Sequence, residues 1–356
     1  MQRNAQERVC VATGFIVLDV IRHAVSMMET ELRHAGGSCG NVLAILAYLG
    51  WNANAVGRIG NDYVGHELVA DLANWHVNTS HLRVEADKWT PVVIQENYTD
   101  AHGRPRHRFC RVCPDCGARL PAYRPVLASE AAAIASTLPA HAVFYIDRIA
   151  PGTVELARRS RNTGALVVFE PSGVKDERLF TECLRAAHVV KYANDRIQGI
   201  HDAVARANVP IEIETLGANG LRFRMQRNGR LGSWHEVPAF PAPELRDAAG
   251  AGDWTTAGFI DTLMRQDWSV ENVIHDADAV MHAIRRGQAF AALNCGFYGA
   301  RGLMYEFDAK SVRDLVTSIA AGAETPRGRI RQPRTELSGR GDRARLTCTG
   351  SRALHA

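Results

Sequence analysis

The chain is poor in what several large protein classes need. Aromatic residues make up 7% of its 356 positions, which gives no stacking platform for nucleic-acid bases. No run of 18 or more apolar residues occurs, so no transmembrane helix is expected. Met1 to Arg8 is polar and lacks the apolar stretch of a secretory signal. Of eight cysteines only Cys110, Cys113 and Cys116 are clustered, unlike the disulfide framework of a small secreted domain. A cytoplasmic location is therefore the expectation. Net charge is a modest +4, and from Ala321 onward eight arginines against Glu324, Glu336 and Asp342 contribute +5 of it. The body stands near −1, so neither a nucleic acid nor a membrane is expected as partner. No internal repeat is present.

What is present is the material of a sizeable core, with 46% hydrophobic and 22% charged residues, in one large domain or two unequal ones. Val9 to Asp19 reads as a buried strand with its carboxylate at the C-terminal end. A glycine run, Ala35 to Asn41, opens a helix from Val42 to Leu49; a strand at Asn54–Ile59 and a helix at Tyr63–Trp75 follow. Strands at Ala142–Asp147, Ala165–Glu170, His188–Tyr192 and Pro210–Leu216 alternate with helices near Gly152–Arg161, Asp176–Ala187 and Asp195–Ala207. That alternation predicts a mostly parallel sheet covered on both faces. Thr90 to Arg124 breaks the rhythm with short strand-like pieces and suits a β-flap, and Asn228-Gly229 signals a hairpin within Leu221–Val237. After Asp247 the chain turns helical to Ala320, and residues 321–356 have the composition of a disordered Arg-rich tail.

The strongest chemical signal is Asp247-Ala248-Ala249-Gly250-Ala251-Gly252-Asp253 followed by a helical stretch. Small residues let the backbone approach a ligand, and the helix N-terminus offers free N–H groups and a positive dipole end to an anion. Asp253 beside it could accept a proton from an attacking hydroxyl; read locally, it could equally be a helix N-cap. A second glycine element precedes it: Gly36-Gly37-Ser38-Cys39-Gly40-Asn41, a helix, then Val56-Gly57-Arg58-Ile59-Gly60-Asn61-Asp62-Tyr63-Val64-Gly65.

Taken together, in this order and at this spacing, the two elements resemble the signatures of the ribokinase-like (PfkB-type) carbohydrate kinase family. The likeness runs from about Val9 to Ala320. It implies a doubly wound α/β domain, residues 1–89 and 125–320, with a small β lid at 90–124 that often also mediates dimerisation. It implies transfer of the ATP γ-phosphoryl group to a hydroxyl of a sugar or sugar-like alcohol, with magnesium. A nucleoside kinase on the same fold, or a non-catalytic sugar or nucleotide sensor, are the alternatives.

Residue by residue, Asp19, Gly37 and Asn41 would bind the acceptor, Gly37 by its backbone N–H. Gly250, Ala251 and Gly252 would form the anion hole, and Asp253 would be the base. Thr215, Gly217 and Asn294 would lie along the nucleotide, and Asp247 would help hold a monovalent cation. One departure stands out. Family members carry an Asn-x-x-Glu that organises the metal-bound phosphates, whereas here Asn194 is followed by Asp195, Arg196 and Ile197. Asp195 or, through water, Glu170 would have to substitute.

Cys113-Pro-Asp-Cys116-Gly has the form of a zinc knuckle, with Cys110 and His107 before it at three-residue intervals. Either these four close one structural zinc site, or two chains share an ion, or the thiols are ordinary turn residues.

Overall fold

A computed structural model of the chain describes residues 8–23, 31–227, 229–264 and 269–323. Residue 228 of the expected hairpin, Cys348 and the tail beyond residue 323 lie outside the described residues. Fourteen strands fall into two sheets among them. In chain order they are β1 (Val9–Thr13), β2 (Val17–His23), β3 (Leu32–Gly36), β4 (Asn52–Gly60), β5 (Asn78–Glu85), β6 (Val92–Thr99) and β7 (Pro105–Cys110). They continue as β8 (Val143–Ile146), β9 (Leu166–Phe169), β10 (Val189–Ala193), β11 (Ile211–Thr215), β12 (Leu221–Arg227), β13 (Arg230–Leu231) and β14 (His235–Val237).

The large sheet runs β13-β12-β11-β10-β9-β8-β1-β4-β5, with β14 also on β12. From β11 to β5 every pairing is parallel; β12, β13 and β14 close one end antiparallel. Period-two alternation divides the core between its faces. Cys10 and Ala12 of β1 pack among the helices Gly37–Tyr48, Ala251–Leu263 and Ala277–Asn294, whereas Val11 between them faces Phe144, Phe169 and Leu184. Burial on both faces is why these strands read as unbroken apolar runs.

The smaller sheet runs β3-β2-β6-β7, with only the β2–β6 pairing parallel. Two of its strands come from well before the 90–124 segment. The single strand expected from Val9 to Asp19 is in fact two strands in two sheets. The break is at Gly14, whose φ of +155° and contact with Asp147 leave no room for a Cβ, since one would stand 1.7 Å from the carboxylate. Asp147 Oδ1 then accepts the Phe15 N–H at 2.7 Å, and the chain turns out of the large sheet. The apolar residues on either side carry no period to reveal such a break, and Gly14 is its one local mark. Asp19 accordingly lies mid-strand in β2. The helix expected over Asp195–Ala207 covers only His201–Arg206; Asn194 and Asp195 belong to a turn.

The chain crosses from β1 to β4 on one side and returns to β8 on the other, so the strand order reverses at β1/β8. Open α/β sheets bind ligands at such a point, outside the carboxyl ends of the strands. No described helix is long and apolar enough to cross a membrane.

Candidate active site

A cavity of about 630 Å³ opens at that edge. Its floor comes from the strand ends: Phe15 after β1, Glu170 after β9, Asn194 and Asp195 after β10, and Thr215 to Gly217 after β11. Val93, Gln95, His107 and Phe109 of the smaller sheet, with Arg111, cover it, and the 248–253 loop forms one wall.

Asp253 sits in the first turn of the helix Ala251–Leu263. It is not the N-cap. That position is Gly250, at φ +75°, where a Cβ would come within 2.4 Å of the Ala300 carbonyl oxygen. No side chain caps this helix. The Ala251 N–H is taken by Ala248 O at 3.2 Å, which narrows the expected anion hole to the turn around Gly252 and Asp253. The Asp253 carboxylate is 8% exposed and accepts Asn41 Nδ2 at 2.8 Å. Burial, and then the Glu170 charge, push its pKa up to about 7, while the Asn41 hydrogen bond and Lys191 pull the other way. A carboxyl group near neutrality, beside an uncapped helix start, can take a proton at physiological pH.

Lys191 is buried in β10 and pairs with Glu170, which also accepts Thr256 Oγ1 at 2.7 Å and Tyr145 OH at 3.2 Å. A Cβ at Gly252 would lie 3.6 Å from Lys191 Nζ, so this buried cation stands beside the helix start. Arg196 also lines the cavity, while Ile197, at the missing glutamate position, turns into the core. Lys191, within an expected strand, carried no local signal of its place in this cavity.

Asp19, which also lines the cavity, is half-buried in β2 and burial raises its pKa to about 6, against the Gly37 hydrogen bond and the Arg301 charge. Its Oδ2 accepts the Gly37 N–H at 3.1 Å. The donor assigned to the substrate is thus already taken, and Gly37, at φ +73°, shapes the turn that presents Asp19. Asn41 lines the cavity and gives one amide hydrogen to Asp253. Arg148, also unforeseen, stacks 4.2 Å over the Phe15 ring and donates to Asp147 Oδ2 at 3.1 Å.

Thr215 and Gly217 line the cavity; Asn294, expected with them, does not. Asn294 is wholly buried, donating to Ala249 O at 3.3 Å and Gly299 O at 3.4 Å and accepting the Leu303 N–H at 3.2 Å, so it fastens the loop from behind. Asp247 is also redirected. Its carboxylate takes hydrogen bonds from Gln95, Asn97 and His107 of the smaller sheet. Burial alone would raise its pKa, but the bonds from His107, Ala249 and Gly299 hold it below the usual carboxylate range.

The expected zinc cluster does not assemble. Among the described residues no group of three or more His, Cys, Asp and Glu side chains could hold a metal ion. His107 and Cys110 are three apart on one strand, which sends them to opposite faces. His107 meets Asp247, Cys110 Sγ donates toward Glu96 at 3.5 Å, Cys113 is buried and Cys116 is exposed.

Residues 10–104 match the profile described as the pfkB family carbohydrate kinase. A protein of Halopiger xanaduensis named ATP-dependent ribose-1-phosphate kinase is 27% identical over 294 residues, 77% of this chain and 84% of its own. Aminoimidazole riboside kinase of Salmonella enterica, solved with aminoimidazole riboside and an ATP analogue, superposes with a TM-score of 0.63 at 20% identity, covering 86% of this chain and 99% of that one. Fructokinase of Xylella fastidiosa with bound ATP gives 0.63 at 20% identity, covering 89% and 100%. The chain therefore has the ribokinase fold, and its resemblance to the pfkB carbohydrate kinase family holds in sequence over residues 10–104.

Proposed function

We propose that the chain is an ATP-dependent kinase that transfers the γ-phosphoryl group to a hydroxyl of a sugar or sugar-like alcohol. The observation that carries this reading is Asp253: a buried carboxylate with a pKa near 7 at the uncapped start of a helix, facing the cavity. In this reading Asp19 holds the acceptor and Asp253 accepts the proton of the attacking hydroxyl. Charge on the transferring group is met by the N–H groups of the Gly252 turn and by Lys191 and Arg196. Thr215 and Gly217 mark the nucleotide end of the cavity. The smaller sheet is the lid, and its side chains exclude water that would otherwise hydrolyse ATP.

Magnesium reaches a site of this kind largely on the nucleotide phosphates. Glu170 already serves Lys191, Thr256 and Tyr145, so Asp195, exposed on the cavity rim, is the carboxylate placed to join it. A dimer through the lid belongs to the same proposal and draws on the exposed Tyr98 and Val112.

One observation favours a phosphorylated acceptor over a free one. Arg111 and Arg148 line the acceptor side and continue into an adjoining cavity of about 430 Å³ that also holds Lys175. Arg148 keeps donors beyond those it gives to Asp147. The Halopiger relative, whose name specifies ribose 1-phosphate, fits this chemistry. ADP release should be measured over sugar phosphates, sugars and nucleosides with magnesium. Sugar phosphates are expected to be turned over best, and Arg148→Ala should raise their KM by roughly 10-fold or more through loss of a charged hydrogen bond. A preference for free sugars or nucleosides, with Arg148→Ala silent, would remove the phosphate from the reading.

The state of the base gives a pH signature. Asp253 works only when deprotonated, so kcat/KM should fall as pH drops below about 7. Asn41→Ala removes a donor that favours the charged form, and the acid limb should move to higher pH. A limb that stays in place in this variant would separate Asn41 from the base.

A further inference from the structure

The monovalent cation that the resemblance implies at Asp247 does not fit the carboxylate found here. Its Oδ1 accepts the Ala249 N–H at 2.9 Å and His107 Nδ1 at 3.0 Å. Its Oδ2 accepts Gln95 Nε2 at 2.8 Å, the Gly299 N–H at 2.9 Å and Asn97 Nδ2 at 3.3 Å. A carboxylate offers about four acceptor sites, so these donors fill it. The side chain is 1% exposed, and a cation placed there would meet N–H hydrogens instead of oxygen lone pairs.

The donors belong to two bodies. Gln95, Asn97 and His107 come from β6 and β7 of the lid. Ala249 lies inside the anion-hole loop, and Gly299 adjoins Ala300, whose carbonyl packs on Gly250 and accepts Trp254 Nε1 at 3.0 Å. One carboxylate thus fastens the lid to the backbone that shapes the helix start. Gln95 Nε2 also donates to Asn97 Oδ1 at 2.7 Å, so these two side chains arrive as a linked pair, with His107 opposite Asn97 in the β6–β7 pairing.

We propose that Gln95, Asn97 and His107 occupy Asp247 in place of a monovalent cation, so that lid docking itself sets the anion-hole loop and the reaction needs no potassium or sodium. The proposal rests on the kinase reading above. These three are positioning residues, acting on the transferred group through Asp247 and the loop. Their removal should therefore disturb loop order and ion response as well as rate.

The test compares the intact protein with His107→Ala and His107→Gln in potassium, sodium and choline chloride at matched ionic strength. Thermal unfolding, amide hydrogen exchange and product formation are all read. The parent is expected to show the same melting temperature and rate in the three salts, because a ligand that binds the native state would raise the former. His107→Ala should lose on the order of 10-fold in turnover, with KM for ATP little changed. Its amides in β6, β7 and residues 247–253 should exchange faster together, and potassium, unlike choline, should restore part of its stability and rate through the vacated Oδ1. His107→Gln, which keeps a donor, serves as the folding control and should remain near the parent in exchange. A melting temperature or rate of the parent that rises in potassium over choline would overturn the proposal, as would unchanged exchange of residues 247–253 in His107→Ala. If no acceptor is phosphorylated under any condition the kinase reading fails, while unfolding and exchange still decide the Asp247 latch.

Discussion

Asp253→Asn is expected to lower phosphoryl transfer by on the order of 100-fold or more while leaving nucleotide and acceptor binding nearly intact. The substitution keeps the shape of the side chain and removes its capacity to accept a proton. It also carries an opposite signature in stability. The folded-state pKa of Asp253 lies near 7, well above that of an exposed carboxyl group. A raised acid pKa means the folded state holds its proton more tightly than the unfolded state. Stability is then lost as pH rises from the unfolded value toward about 7, and the full cost of the buried charge is present above it. The neutral amide escapes that cost, so at alkaline pH the variant should be more stable than the parent by up to a few kcal/mol. A residue serving only as a helix cap would behave differently, because asparagine caps a helix about as well as aspartate and would leave both stability and turnover nearly unchanged. Turnover and melting temperature measured on one preparation distinguish the two.

The second large effect is expected at Asp19. Alanine there should raise KM for the acceptor by roughly 10- to 150-fold, the cost of one charge-assisted hydrogen bond of about 1.5–3 kcal/mol, and leave KM for ATP nearly unchanged. The structure adds a reason to include Asp19→Asn. The carboxylate also receives the Gly37 N–H and feels the buried Arg301, which donates to Asp71 at 2.6 Å. Asparagine retains an acceptor for Gly37, so the turn is preserved and the loss of charge toward the acceptor is isolated. An equal change in both Michaelis constants would place Asp19 outside the acceptor site and make it a structural support for the turn.

What the sequence made legible was local. The glycine segments, the start of the helix after Gly250 and the alternation of strands with helices depend on neighbours within a few positions. Each was read close to its place, including β8 to β11 and the helix Pro151–Asn162. What escaped depends on partners far along the chain. Asp247 shares a loop with Asp253, but its three donors from the smaller sheet lie 140 to 152 residues away, and nothing near Asp247 foretells them. The family resemblance implies a place along the nucleotide for Asn294; only its bonds to the backbone carbonyls of Ala249 and Gly299 reveal that it fastens the loop.

The cysteine cluster shows a different failure. Intervals of three between His107, Cys110 and Cys113 suggest convergence if the segment is a turn. Residues 105–110 instead form a strand, where an odd interval sends side chains to opposite faces. The decision between turn and strand was itself set by pairing with β6. The acid absent from the Asn-x-x-Glu position was visible from sequence. That Lys191 and Arg196 line one cavity with the 248–253 loop was not, since it follows from how the chain folds after β10.

The most direct measurement follows product by phosphorus NMR, with ATP, magnesium and the acceptor that gives most ADP release. The parent is expected to convert the ATP γ-phosphoryl resonance into a phosphomonoester of the acceptor, and Asp253→Asn to leave both substrates bound and unconverted. A phosphomonoester formed by Asp253→Asn within a few-fold of the parent rate would contradict the assignment of Asp253 as the base. Inorganic phosphate as the only product of the parent would contradict the transfer itself.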